Sequence, residues 1–158
     1  MLIRRAQEPD SETLWQWRND PVSIRNSISG GVIEWEDHSK WFQNSLQSTS
    51  CEIFVGVCEE FRQLVGMVRF DIDVCASTSE VSINMDPNWR GKRVSSLLLG
   101  RTIKVFGANR SLLLIARIKP QNTVSIKCFQ NCGFELESQS GKLWRLIKNT
   151  THNKHSMK

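Results

Sequence analysis

Between Val65 and Ala116 the apolar pattern changes period twice, and few folds accommodate such a succession. Val68, Phe70, Ile72 and Val74 alternate with Arg69, Asp71 and Asp73, so Val65 to Val74 reads as a strand with one buried face. Glu80 to Met85 alternates again, with Val81, Ile83 and Met85 on one face and Glu80, Ser82 and Asn84 on the other. After the break Asp86-Pro87-Asn88 the period lengthens. Val94, Leu97, Leu98, Val105 and Phe106 then share one side of a helix over Val94 to Phe106. The unbroken apolar run Leu112 to Ala116 predicts a strand buried on both faces. Strand, helix and buried strand form a βαβ unit, whose crossover is right-handed in nearly all cases. One such unit beside alternating strands implies an α/β fold with a mixed sheet.

The flanks supply further elements. Leu2 to Ala6 reads as a short strand, and Pro9-Asp10-Ser11 opens a helix that Asn19-Asp20-Pro21 stops. Ser29-Gly30-Gly31 is a turn, Trp35 to Leu46 a second helix and Ile53 to Val57 a strand. Asn122 caps a further helix, Gly133 ends it in the left-handed position, and Leu143 to Ile147 is the last strand. With no internal repeat or linker, residues 1–148 read as one domain. The polar stretch Asn149 to Lys158 is expected to fray.

Composition excludes several classes. At 158 residues, 39% hydrophobic and 23% charged, the chain is globular, and long enough to bury a core without metal or disulfides. The start, MLIRRAQEPD, lacks the apolar stretch of a signal peptide, and no run approaches the ~20 apolar residues of a membrane span. Five cysteines without a CxxC, and no His at metal-finger spacing, suit a reducing compartment. The expectation is a cytoplasmic protein with no metal and no membrane partner. The charge of +5 favours anionic ligands, but no nucleic-acid-binding pattern accompanies it. Four of six Trp (Trp15, Trp17, Trp35, Trp41) fall within the first 41 residues, and Tyr is absent. The cluster reads equally as core packing or as a substrate-facing wall.

The segment Asp86 to Ser96 joins a strand to a helix, so backbone N–H groups at the helix start lack intrahelical partners. Together with the helix dipole they make an anion site, to which Arg90, Lys92 and Arg93 add charge. A pyrophosphate suits it. A solvated basic turn is the alternative.

About thirty residues on comes Asn122-Thr-Val-Ser125-Ile-Lys-Cys-Phe129-Gln-Asn-Cys-Gly133-Phe134. With the basic loop Arg90-Gly91-Lys92-Arg93-Val94-Ser95 upstream, this resembles the GNAT superfamily of acyl-CoA N-acyltransferases, over roughly Leu2 to Lys148. The resemblance implies a central mixed, mostly antiparallel sheet of six to seven strands, with helices on both faces and a parallel βαβ unit that binds the coenzyme. It implies acetyl-CoA as cosubstrate, held by Ile83, Asn84, Met85, Arg90, Gly91, Lys92, Arg93, Val94, Ser95, Ser96, Asn122, Ser125 and Phe129. Glu80, on the strand where relatives carry a catalytic Glu, is the candidate general base; a salt bridge to a residue such as Arg69 is the alternative. Two departures stand out. Arg93 and Ser95 occupy positions where the family carries glycines, and Arg93 is expected to keep an ordinary φ. Phe129 replaces a Tyr that in many relatives protonates the leaving thiolate. Phe129 would instead line the pantetheine arm, with Val124 and Cys128 nearer the core.

Trp17-Arg18-Asn19-Asp20-Pro21 and Trp35-Glu36-Asp37-His38-Ser39-Lys40-Trp41-Phe42 resemble, within that superfamily, bacterial enzymes acetylating amino groups on nucleotide-linked sugars of the pseudaminic acid pathway type. On this resemblance Trp17, Arg18, His38 and Trp41 contact a UDP-aminosugar, with His38 near its diphosphate. A structural role for a helical His is the alternative. The resemblance also admits a homodimer. Acetylation of protein N-termini or ribosomal proteins, and non-catalytic acyl-CoA binding, are the competing functions.

Overall fold

A computed structural model describes residues 1–139 and 141–150. Its strands are β1 (Leu2–Arg5), β2 (Cys51–Cys58), β3 (Gln63–Asp73), β4 (Thr78–Met85), β5 (Leu113–Ile118), β6 (Glu135–Ser138) and β7 (Trp144–Asn149). They form one seven-stranded sheet in the order β1-β2-β3-β4-β5-β7-β6. The helices are α1 (Ser11–Arg18), α2 (Pro21–Asn26), α3 (Trp35–Gln47), α4 (Val94–Gly107) and α5 (Thr123–Asn131). β4 and β5 pair in parallel, linked by α4, and the other pairings are antiparallel. The architecture is the expected mixed α/β sheet.

Strand alternation divides the core in two. Ile53 and Val55 point to α1 and α3, packing with Ala6, Leu14, Trp17 and Phe42. Phe54, Val68, Phe70, Val81, Leu114 and Leu146 point the other way, onto Leu98, Leu99, Ile103 and Phe106 of α4 and Ile126, Cys128 and Phe129 of α5. Two glycines fix how closely α4 approaches. Gly56 and Gly66 face each other across β2 and β3. A Cβ on either would stand 2.7 or 2.8 Å from a methyl of Leu98. The paired glycines thus form a dent that seats Leu98.

Several expectations are corrected. The buried stripe of α4 is Leu98, Leu99, Thr102, Ile103 and Phe106, whereas Leu97 and Val105 are 46% and 53% exposed. Thr102 can occupy the stripe because its hydroxyl donates to the Leu98 carbonyl at 2.8 Å. β5 is not buried on both faces: Leu114, Ala116 and Ile118 are buried, but Arg117 is exposed because a cleft lies over that side. Asp20-Pro21 stops α1 and also starts α2, with the Asp20 carboxylate accepting the amides of Val22 and Ser23 at 3.0 and 3.1 Å. β6 follows Gly133-Phe134 where no strand was expected. Asn149 closes β7, and Thr150 is buried, its hydroxyl donating to the Arg110 carbonyl and accepting the Leu112 amide. The remainder of the expected tail, 151–158, lies outside the described residues.

Candidate active site

The turn before α4 takes up the backbone shape of a glycine-rich loop with only one glycine. Gly91 has φ +74° and Arg93 φ +60°, so Arg93 sits in the left-handed region and not at the ordinary φ expected of it. Left-handed residues flanking Lys92 curl the chain so that successive amides can converge on an anion. α4 has no side-chain cap, unlike α2 and α5, where Asp20 and Asn122 accept amide hydrogens. The first amides of α4, from Val94 through Ser95 and Ser96, therefore lack a side-chain acceptor, and the macrodipole favours an anion there. Gly91, Lys92 and Arg93 are exposed, with the Lys92 ammonium 5.3 Å from the Trp89 ring centroid.

Arg90 does something else. Its guanidinium donates to Asp20 at 2.6 Å, to the Ser23 hydroxyl at 3.0 Å and to the Met85 carbonyl at 3.3 Å. Burial alone would raise the Asp20 pKa, but the hydrogen bonds from Arg90 and the Ser23 and Val22 amides hold it below its usual value. The expected convergence of three cations thus reduces to Lys92 and Arg93, while Arg90 clamps α2 to the end of β4. Ser23 also donates to Asn84 Oδ1 at 2.9 Å, and Lys119, just past β5, donates to the Arg25 carbonyl at 2.9 Å. α2 is thereby tied to the ends of both parallel strands.

Beneath α2 those strands part. They pair only over Thr78–Glu80 with Leu113–Ile115, so Val81, Ser82, Ile83, Asn84 and Met85 have β3 on one side and, among the described residues, no strand on the other. An extended ligand arm can take the missing strand's place along that edge, as β-strand addition requires. Phe129, by contrast, is only 2% exposed and packs edge-on to Phe134 with centroids 4.9 Å apart. It belongs to the core and lines no open wall, and Val124 is 75% exposed, not inward. Asn122 uses its Oδ1 on the Ser125 amide at 3.2 Å. Burial raises the Cys128 and Cys132 thiols, Cys132 to about 11, so neither is a thiolate near neutral pH.

On the α1/α3 side, next to the parting, lies a cleft of about 620 Å³. Asp71 and Asp73 of β3, Glu80 of β4, Arg117 of β5 and Arg145 of β7 line it, with Cys51 at its edge. Glu80 is half-buried and ion-paired to Arg117 through Oε2, not to Arg69, which binds Asp71 at 2.8 Å. Arg145 pairs with Glu137. The apolar run ended the expected strand at Ala116, so Arg117 was missed; the clue was an arginine interrupting an otherwise apolar strand. Asp71 and Asp73 read simply as a polar face.

The four residues expected around a UDP-aminosugar do not line this cleft. Trp17 is a core residue at 5% exposure. His38 is buried, its Nε2 lies 2.9 Å from the Ser11 carbonyl, and it stacks on Phe42 and Trp35. Bonding to a carbonyl makes Nε2 the protonated nitrogen, and burial lowers the His38 pKa, so it is a neutral structural group. Arg18 donates to Ser29 and to the carbonyls of Gly30 and Gly31, holding that turn. Trp41 is half-buried beneath the Arg69 guanidinium, 5.4 Å from its ring centroid. Among the described residues no cluster of metal-ligating side chains occurs, and no helix is long and apolar enough to cross a membrane.

A sheet parted between parallel strands, with a basic turn of uncapped amides at the parting and a charged cleft beside it, has the form of a group-transfer site for two substrates. The chain belongs to the GNAT family of acetyltransferases: the model of the Acetyltransferase (GNAT) domain matches residues 1–135. It is accordingly an acetyltransferase that draws on acetyl-CoA. No curated protein matches it in sequence. Among solved structures, it resembles spermidine N-acetyltransferase from Vibrio cholerae in complex with CoA and spermine, with a TM-score of 0.84 and 15% identity over 94% of this chain and 95% of that one. It also resembles an aminoglycoside acetyltransferase in complex with coenzyme A and kanamycin, at TM-score 0.78 and 13% identity over 93% of each chain. At such identities the likeness is one of fold.

Proposed function

We propose that this protein transfers an acetyl group from acetyl-CoA to the primary amine of a small molecule, with Glu80 as the proton acceptor. One observation carries the reading: Glu80 lines the cleft and is the last residue of β4 paired to β5, so its carboxylate stands where the free edge of β4 begins. The cleft has the size usual for small-molecule sites. Acetyl-CoA, bound with its pyrophosphate on the turn 90–96 and its pantetheine arm along Ile83 to Met85, supplies the activated thioester.

The chain's own groups do the rest. Free amides on the open edge of β4, around Asn84 and Met85, donate to the carbonyl oxygen as it gains charge. Glu80 takes the amine proton directly or through one water, its Oε2 anchored by Arg117. No tyrosine exists to protonate the leaving thiolate. A thiol of pKa ~8.5 leaves tolerably as its anion, so none is required. Holding both substrates in one opening contributes to the ~7–11 kcal/mol available from positioning.

The neighbours in fold bind spermine and kanamycin, both small molecules bearing amines, which agrees with this class of acceptor. A nucleotide-linked aminosugar is a finer reading within it. Since Trp17 and His38 are buried, its diphosphate would have to be met by the cleft's own arginines. Thiol release from acetyl-CoA, measured with polyamines, UDP-aminosugars, amino acids and N-terminal peptides, tests the proposal. It requires turnover with a small amine. Turnover confined to peptides refutes it, as does acetyl-CoA binding without turnover of any amine.

A further inference from the structure

The cleft is electrically polar across four adjacent strands. Along the order β3-β4-β5-β7 its charged side chains are Asp71 and Asp73, then Glu80, then Arg117, then Arg145. Within this series two like-charged pairs sit directly opposite each other. Asp71 is the register partner of Glu80, and Arg117 that of Arg145. Like charges facing across strands are destabilising, so each pair is compensated by a neighbour: Arg69 binds Asp71, Arg117 binds Glu80, and Glu137 binds Arg145. The two guanidiniums retain donors beyond those contacts, since each carries five N–H groups. They stand on adjoining strands on the floor of one cleft, the arrangement that a carboxylate or phosphate binds with two forks. Asp73 has no ion-pair partner among the described residues; its Oδ1 accepts only the Ala76 amide at 2.9 Å.

Resting on the acetyl-transfer reading above, we propose that the acceptor is a primary amine that also carries an acidic group, a carboxylate or a phosphate. Its amine lies at Glu80, and its acid lies on Arg117 and Arg145. The spacing follows from the sheet. Neighbouring strands are ~4.8 Å apart, so from β4 to β5 and β7 the distance is one to two spacings, about 5–10 Å. Short amino acids with the amine remote from the acid, and aminoalkyl phosphates, have this span. A wholly cationic amine leaves the two arginines unanswered and would have to turn its second ammonium toward Asp73 instead. Arg145 is the discriminating residue, because it adjoins the acid without touching Glu80, whereas Arg117 serves both ends.

The test compares kcat/KM for thiol release with γ-aminobutyrate, O-phosphoethanolamine, a UDP-aminosugar, butylamine and putrescine. It uses the wild type, Arg145→Gln and Arg145→Lys, each checked for a native melting transition. The wild type should prefer the better acid-bearing amine over butylamine by at least about tenfold, the scale of a charged hydrogen bond. Arg145→Gln should bring that ratio to within about threefold, mainly through KM, and Arg145→Lys should restore part of it. Comparison of the carboxylate with the two phosphates identifies the acid. Butylamine or putrescine serving as well as the acids overturns the inference, as does a ratio indifferent to Arg145→Gln. NMR titrations with γ-aminobutyrate and O-phosphoethanolamine separate this from the reading beneath it. Arg145-dependent binding without turnover keeps the anion site and refutes acetyl transfer. Absence of both binding and turnover refutes the anion site as well.

Discussion

Arg93 stands in a backbone conformation that favours glycine, at φ +60°, on the turn assigned to the coenzyme pyrophosphate. Left-handed φ costs a non-glycine residue about 1–2 kcal/mol. Glycine gives back about 0.5–1 kcal/mol through the greater entropy of the unfolded chain. Arg93→Gly should therefore stabilise the protein by about 0.5–1 kcal/mol, raising Tm by about 1–4 °C for a domain of this size. Its effect on ligand has the opposite sign. The amide cradle survives, but one cation is lost, and for an exposed charge that contact is worth about 1 kcal/mol, roughly fivefold in acetyl-CoA affinity. Arg93→Glu keeps the strain and reverses the charge, so affinity should fall by about 2–3 kcal/mol, roughly 30–150-fold. Calorimetric titration with acetyl-CoA and thermal melts of the three proteins give the comparison. Two results refute the reasoning: an Arg93→Gly protein less stable than the wild type, or a folded Arg93→Glu protein with unchanged affinity.

Three further outcomes are expected. Among the described residues Ser79 Oγ, buried in the sheet, has no hydrogen-bond partner, so Ser79→Ala should raise stability by about 1 kcal/mol in denaturant unfolding; a loss would mean that the hydroxyl has a partner. Burial holds the folded-state pKa of His38 below its ordinary value of 6.5, so the unfolded chain binds more protons just below that pH. The His38 contribution is fully present above pH 6.5 and is lost as pH falls through the folded pKa. Melting temperatures across this range should show that slope flattened in His38→Gln, and an unchanged slope would assign it elsewhere. Phe129→Tyr should destabilise the protein by about 1–3 kcal/mol in denaturant unfolding, because its hydroxyl enters the core beside Phe134. Unchanged stability would mean that the ring borders open space.

The elements legible in the sequence were those set by local physics. Alternation fixed β3 and β4, the change of period fixed α4, and Asn122 and Gly133 marked the ends of α5. Family motifs pointed to the turn 90–96 and to Glu80, the site that is proposed for this chain. What escaped was set by tertiary context. Thr102 shifts the buried stripe of α4 by bonding back to Leu98, a polar residue that composition alone assigns to solvent. Asp20 is both the end of one helix and the cap of the next, and its third partner, Arg90, is seventy residues away. His38 and Trp17 share their helical spacing with surface residues, and only packing against Ser11 and β2 reveals them as core. Arg117 and Arg145 become neighbours only once β5 and β7 pair, which no local pattern announces.

The dependence of kcat on pH, in wild type and Glu80→Gln at saturating acetyl-CoA and amine, tests the central claim most directly. Glu80→Gln preserves shape and removes the proton acceptor. The account predicts a kcat reduced by ~10²-fold or more at neutral pH, with the acidic limb of the profile lost or displaced and acetyl-CoA affinity retained. A near-normal rate with the same acidic limb would contradict it, leaving Glu80 as the salt-bridge partner of Arg117 and nothing more.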